Sequence, residues 1–147
     1  MAKHCKIIFV IQLSRTKEIA LAMFDKHHCL RTFHVTFAIL QSRIVCIRTN
    51  NAKTHSVNLR NPKHNSQSGL DISASKFECS EFRALHYLKQ TTNVDFRKVT
   101  LINVRIRKNK TFGLAKPCES CRSLIKYHGI KTVIYTNDVG EFVISQY

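Results

Sequence analysis

The amino-acid sequence predicts an α/β domain in which helices pack against a mixed β-sheet. Helical and strand patterns alternate in the second half of the chain, after two adjacent strand segments, and this order is typical of an α/β sandwich. The last two strand segments are separated only by residues 137–140, too few for a parallel crossover, so they would pair antiparallel. The length of 147 residues, with 44% hydrophobic and 22% charged residues, fits one globular domain over residues 1–147.

The first third of the chain predicts a helix followed by a β-hairpin. Residues 6–13 fit either a short strand or the lead-in to a helix, and helical spacing of apolar residues follows from Ser14. Alternating apolar residues predict strands over residues 32–40 and 43–48, and Gln41-Ser42 between them makes a tight turn.

The remainder of the chain predicts two helices, each followed by strand structure. Residues 49–69 lack periodicity, and a loop of that length in a compact domain is usually functional or mobile. Helices are predicted over residues 77–90 and 118–128, the second of them capped by Gly129. Strands are predicted over residues 98–107, 131–136 and 141–145, the first from its run of β-branched residues.

The chain is strongly basic, with 24 Lys and Arg residues against nine Asp and Glu residues and a formal net charge of +15. This surplus favours an anionic partner: a phosphorylated nucleotide, a nucleic acid or another acidic surface. Arg105 and Arg107 share one face of a predicted strand and Lys110 follows, so these residues could contact a phosphate or a nucleic-acid strand. A solvated sheet edge that deters edge-to-edge pairing would explain the same charges.

The cellular context predicted from the sequence is cytoplasmic. Six cysteines in such a chain favour metal binding or reduced thiols over disulfides. The apolar residues 7–13 are too few to span a bilayer, and no small-residue cleavage site follows them. We therefore expect neither a membrane span nor a signal peptide.

Two short motifs carry most of the chemical information. Cys79 and Glu81 lie at the predicted start of one helix, and Pro117, Cys118 and Cys121 lie at the start of another. Three thiol ligands leave one tetrahedral position for water, the pattern of a catalytic zinc site, and a helix N-terminus favours the thiolate form. A carboxylate that is not a ligand could carry protons beside such a metal. A redox pair or core cysteines would explain the C-x-x-C motif taken alone.

This layout resembles that of the zinc-dependent base deaminases, whose signature is H-x-E followed by P-C-x-x-C. Cys79 occupies the histidine position, and the S-E-F-R-A-L string over residues 80–85 is similar to the A-E-R-x-A-L pattern of the family. The chain thus resembles the cytidine deaminase superfamily over about residues 33–146, with residues 1–32 as an N-terminal extension.

The resemblance implies a cytidine deaminase-like α/β/α sandwich: a five-stranded mixed sheet with the last two strands antiparallel, plus an N-terminal helix. It implies Zn²⁺ held by Cys79, Cys118 and Cys121, with Glu81 as the catalytic acid and base. Small members of the superfamily are often oligomers, so a homo-oligomer is expected. Relatives with an all-cysteine site place an arginine directly after the glutamate, whereas this chain has Phe82; Arg83 and Arg122 are candidates to replace that positive charge.

The resemblance also suggests substrate-binding residues in the long loop. Related enzymes have an asparagine after the second strand that binds the sugar; Asn51 or its neighbour Asn50 fits this position, and we favour Asn51. Lys53 and His55 fall in a string similar to the K-T-H-P of some deaminase-like sequences, where they would meet a phosphate and the sugar. Asp71 falls in a string loosely similar to N-x-E-N-A-S, whose glutamate binds the ribose. An exposed loop position would explain each of these residues equally well.

Three functions follow as expectations. The first is a zinc-dependent hydrolytic deaminase that converts a cytosine nucleoside or nucleotide to the uracil product and ammonia. The second is a deaminase of single-stranded DNA or RNA, favoured by the basic charge. The third is a non-catalytic protein that binds nucleic acid and is stabilised by zinc. A purine base as substrate stays open, because the shape of the pocket decides it.

Overall fold

A computed structural model of the chain describes residues 2–26, 33–50, 79–91 and 93–147. Within these residues it contains three α-helices and six β-strands. The elements are α1 (Ala2–Asp25), β1 (Phe33–Leu40), β2 (Arg43–Thr49), α2 (Ser80–Gln90), β3 (Thr100–Ile106), β4 (Phe112–Gly113), α3 (Glu119–His128), β5 (Thr132–Thr136) and β6 (Phe142–Gln146). A short 3₁₀ turn, Phe96–Lys98, precedes β3.

The sheet is mixed, with strand order β2-β1-β3-β5-β6. Strands β3 and β5 run parallel, while β1 pairs antiparallel with β2 and β3, and β5 pairs antiparallel with β6. The expectation of five strands is wrong, because β4 adds a sixth by pairing with Arg105 and Ile106 at the end of β3. A strand of two residues is too short to leave a periodic pattern in the sequence.

The two faces of the sheet are buried by different helices. One apolar cluster joins α1 to the odd-numbered residues of β1 and the even-numbered residues of β3, among them Phe37 and Val104. A second cluster joins α2 and α3 to the opposite face, which carries Ala38, Leu101 and Val133. The period-2 alternation of β1 and β3 thus produces helical layers on both sides of the sheet.

Helix α1 settles the open assignment of residues 6–13, which are helical. The helix begins at Ala2, well before the start predicted at Ser14, and it ends at Asp25. Ala20 is fully buried against the sheet. No helix in the described part of the chain has the length and apolar character needed to cross a membrane.

Helices α2 and α3 both begin at a cysteine. Cys79 is the N-cap of α2, and Cys118 is the N-cap of α3. At its other end α3 stops at Gly129, whose φ of 79° is in the left-handed region, as the sequence predicted. Phe82 is 5% exposed and packs with the α2 and α3 core, so it contributes apolar contacts rather than charge to the site.

Candidate metal centre

Three cysteine sulfurs meet where the N-termini of α2 and α3 converge. The Sγ atoms of Cys79, Cys118 and Cys121 all lie within 4.8 Å of one another. Three sulfurs on a tetrahedral metal with bonds of about 2.3 Å would be about 3.8 Å apart, so the cluster is close to the geometry of a ligated ion. The structure therefore brings together the three residues that the sequence proposed as ligands, in an arrangement that could hold a metal ion.

The cluster is arranged to share one negative charge. The pKa of the Cys118 thiol is lowered, first because Cys121 hydrogen-bonds to its sulfur and then because Cys79 does; the backbone N–H groups of Cys121 and Ser120 also contribute. The Cys121 backbone nitrogen lies 3.5 Å from the Cys118 sulfur. The same contacts with Cys118 raise the pKa values of the Cys79 and Cys121 thiols. A metal ion that takes all three sulfurs must therefore displace two protons.

Glu81 lies in the first turn of α2 and is only 6% exposed. Its carboxyl group belongs to a closed ring of four buried polar side chains. Asn103 Nδ2 donates to Glu81 Oε1 at 3.0 Å, and Ser80 Oγ lies 3.2 Å from Glu81 Oε2. Thr36 Oγ1 closes the ring, 2.8 Å from Ser80 Oγ and 2.9 Å from Asn103 Oδ1.

The number of hydrogen bonds that this ring can form depends on the protonation state of Glu81. The ring has three contacts that need a hydroxyl or carboxyl proton: Glu81 with Ser80, Ser80 with Thr36, and Thr36 with Asn103. Ser80 and Thr36 supply one proton each, so all three contacts are hydrogen bonds only when the carboxyl group is protonated. Burial raises the pKa of Glu81 to about 7; the Cys118 thiolate also raises it, whereas hydrogen bonds from the Glu81 backbone N–H and from Ser80 lower it. The group is thus placed to gain and lose a proton near neutral pH.

The register between β1 and β3 positions this ring. Thr36 is opposite Asn103, and the next pair toward the sheet edge is His34 with Arg105. These residues share the face that carries Ala38 and Leu101 deeper in the sheet. The face therefore changes from apolar to polar toward the carboxyl ends of the parallel strands β3 and β5, where α/β folds commonly place a site.

A cavity of about 120 Å³ opens above the ring. It is lined by His34, Asn50, Cys79, Ser80, Glu81, Lys116 and Cys118. Burial and, after it, the nearby Arg105 charge lower the pKa of His34 to about 4, so the imidazole is neutral at neutral pH. The cavity is thus bordered by the neutral imidazole of His34, the buried carboxyl group of Glu81 and two cysteines of the cluster.

Asn50 is held firmly at the rim of this cavity. Its Oδ1 accepts a hydrogen bond from the His34 backbone at 2.9 Å, and its own N–H donates to His34 O at 3.1 Å. Asn50 is thus the member of the Asn50/Asn51 pair that the structure places at the cavity. Asn51, Lys53, His55 and Asp71 lie outside the described residues, so their roles stay predictions.

The three basic residues predicted to contact phosphate, Arg105, Arg107 and Lys110, lie in different environments. Arg107 pairs with Asp138 at 3.0 Å, and Lys110 pairs with Asp25 at 2.8 Å. Arg105 pairs with His34 across β1 and β3, and its positive charge lowers the pKa of this histidine, which lines the cavity. Contacts of Arg105, Arg107 and Lys110 with phosphate stay a prediction.

Several residues of the site were missed by the sequence analysis. Thr36, Ser80 and Asn103 form the ring, and His34 and Lys116 line the cavity. One signal was available, since Asn103 interrupts an otherwise apolar run and asparagine is depleted in strands. The others carry no local pattern that distinguishes them from ordinary strand or loop residues.

No model of a known protein family, no curated protein and no solved structure matches the chain. The findings at this site are therefore structural. They comprise a cysteine cluster that could hold a metal ion, a buried carboxyl group within a hydrogen-bonded ring, and a cavity that borders both.

Proposed function

We propose that this protein is a zinc-dependent hydrolytic deaminase that converts the cytosine base of a nucleoside or nucleotide to uracil and releases ammonia. The observation that carries the proposal is the position of Glu81 beside the cysteine cluster, with both groups lining one cavity. This combination, together with the resemblance of the two motifs to those of the cytidine deaminase superfamily, favours hydrolysis over a purely structural metal.

The donor set fits zinc. Three thiols whose sulfur atoms lie within 4.8 Å of one another suit this ion, and three such ligands would leave one coordination position for water. Zinc bound there would supply a Lewis acid that makes water a nucleophile near neutral pH. Three thiolates with one Zn²⁺ carry a net charge of about minus one, which a nearby cation would offset. Arg122 follows Cys121 directly and is the better placed candidate, because Arg83 donates to Thr49 O at 2.6 Å.

Glu81 would carry the protons of the reaction. Its carboxylate accepts a proton from the attacking water and gives it to the pyrimidine ring nitrogen. Glu81 would then take the proton of the newly added hydroxyl group and give it to the departing amine, so that water and the amino compound become the carbonyl compound and ammonia. The contacts with Asn103 and Ser80 fix the orientation of the carboxyl group for both transfers.

Substrate recognition would use the rim of the cavity. Asn51, or its neighbour Asn50 at the cavity, would take the place of the asparagine that related enzymes have after the second strand to bind the sugar, and His34 offers a neutral imidazole at the same cavity. Lys53, His55 and Asp71 would complete the sugar and phosphate contacts from the long loop. A homo-oligomer, as in small members of the superfamily, remains part of this proposal.

A second candidate function is deamination of single-stranded DNA or RNA, and the net charge of +15 is the observation that favours it. A third is a non-catalytic protein that binds nucleic acid and uses zinc for stability. The second predicts product only in polynucleotides, and the third predicts that Glu81 is dispensable for every property of the protein.

The test is product formation by mass spectrometry from a mixture of cytidine, deoxycytidine, CMP, dCMP and a short single-stranded oligonucleotide. Exchange of an amine for an oxygen through water attack raises the mass of the converted compound by about one dalton. The matched control is Glu81→Gln, which should bind zinc as the wild type does and form no product. Turnover retained in Glu81→Gln at unchanged zinc content would refute the mechanism, and zinc binding without product from any compound would refute the proposed function.

A further inference from the structure

A second, larger groove lies next to the candidate site, between α3 and β6. Its volume is about 380 Å³. The α3 side presents three cations, Lys116, Arg122 and Lys126, and the β6 side presents Ser145 and Gln146. Glu119 is the one acidic residue among the described residues that line it, so the lining is positively charged and rich in hydrogen-bond donors.

The groove and the cavity of the candidate site share one lining residue, Lys116. This residue lines both the groove and the cavity that holds Glu81 and Cys118. From there the groove follows one side of α3, because Glu119, Arg122 and Lys126 are spaced three and four residues apart. The rise from Glu119 to Lys126 is about 10 Å, so the charged lining extends well beyond the cavity itself.

The cations of the groove are not used by the ion pairs of the fold. The three ion pairs among the described residues join Asp95, Asp138 and Asp25 to cations elsewhere. The Nε atom of Arg122 is shielded from solvent and donates to no protein atom in the described part of the chain. The charge of Arg122 is also not neutralised by an ion pair among the described residues, and an anionic ligand in the groove would neutralise it.

Compensation of the cysteine cluster accounts for only part of this charge. One cation beside the cluster would offset a zinc site with three thiolates, whereas Lys126 lies a full turn farther along α3 than Arg122. The hydroxyl and amide groups opposite it on β6 also have no part in holding a metal at the three cysteines. The groove therefore presents the features of a binding site for an anion larger than one atom.

We propose that this groove binds phosphate groups carried by the substrate whose base enters the cavity. The inference rests on the proposed deaminase function for the identity of that substrate. The phosphate can be the monoester of a nucleotide, or the diester backbone of a single strand that continues along α3. Both are recognised by the same chemistry, charge-assisted hydrogen bonds from arginine and lysine.

Binding is measured with zinc-loaded Glu81→Gln protein, so that no ligand is consumed. The ligands are deoxycytidine, dCMP and a short single-stranded oligonucleotide with one cytosine. Lys126→Glu is the test variant and Arg122→Gln the second; the matched control is Lys89→Glu, which changes an exposed lysine on α2 that does not line the groove. Lys126 is exposed, so its replacement should not prevent folding.

We expect Lys126→Glu to weaken binding of a phosphorylated ligand by roughly tenfold relative to Lys89→Glu, while binding of deoxycytidine is unchanged. The slope of the logarithm of affinity against the logarithm of salt concentration should become shallower by about one for each cation removed. If Lys126→Glu binds dCMP more weakly, the groove binds the phosphate of a nucleotide. If Lys126→Glu weakens binding of the oligonucleotide alone, the groove binds the backbone of a strand. Equal affinities in Lys126→Glu, Arg122→Gln and Lys89→Glu would overturn the proposal.

Turnover of the same ligands by the wild-type protein separates this proposal from the proposed function. Phosphate-dependent binding that needs Lys126, without deamination of any ligand, would retain the groove and reject the deaminase. Deamination with no effect of Lys126→Glu or Arg122→Gln on any phosphorylated ligand would retain the deaminase and reject the groove.

Discussion

Replacing Glu81 by Gln should make the metal-free protein more stable at alkaline pH although it removes the proposed catalytic group. Glutamine has the shape of a protonated glutamate. Its amide nitrogen can donate to Ser80 across the present 3.2 Å contact, and its oxygen can accept from Asn103 at 3.0 Å. The ring through Thr36 then keeps a proton for every contact at any pH.

The magnitude follows from the pKa of the carboxyl group in the two states. Burial raises it from an ordinary value of 4.5 to about 7 in the folded chain. The folded state therefore retains a proton that the unfolded state loses between these values, so stability decreases as the pH rises through this interval. Across this interval the free energy of unfolding of the wild-type protein decreases by about 3 kcal/mol, and the decrease is complete above about pH 7. Glu81→Gln has no carboxyl group at this position, so it should not show this decrease.

The assay is urea unfolding of chelator-treated wild-type protein and Glu81→Gln at about pH 5 and about pH 8.5. The two proteins should differ by less than about 1 kcal/mol at the lower pH, and the variant should be more stable by about 3 kcal/mol at the higher pH. Glu119→Gln is the matched control, since it removes an exposed carboxylate from the first turn of α3. A gap that does not widen with pH, or that Glu119→Gln reproduces, would show that burial in the ring is not the cause.

Three further results are expected. Cys121→Ser should lose stoichiometric zinc in a chelator competition, because a neutral hydroxyl replaces a thiolate ligand, whereas the equally buried Cys46→Ser should keep it; zinc retained in the first variant would reject the triad. Thr36→Val should lower the free energy of unfolding by about 2 kcal/mol in urea, since Asn103 Oδ1 loses its donor, and an unchanged value would mean that the ring contributes nothing to stability. Gly129→Ala should cost about 1 kcal/mol by the same measurement because φ is 79° there; a neutral result would contradict the left-handed cap.

Helices α2 and α3 and the cysteine cluster could be predicted because their signals are local. An i, i+3 pair of thiols at a helix start needs only the geometry of one turn, and Gly129 marks the end of the same helix. Period-2 alternation likewise predicted β1, because large apolar side chains recur at every second position of this strand of eight residues. Strand β4 escaped prediction because two residues contain no period, and the helical state of residues 6–13 could not be decided from a short apolar run.

The sequence by itself thus determined most of the elements, the alternating faces of the strands and the grouping of three cysteines with a carboxylate in two short motifs. Only the tertiary structure decided that Thr36 and Asn103 meet Glu81, that Asn50 borders the cavity, and that Lys116 lines both that cavity and the basic groove. The physical reason is register: Thr36 faces Asn103 across β1 and β3, and a slip of one residue would turn either side chain toward α1. Such pairings join residues far apart in the chain, and no local spacing records them.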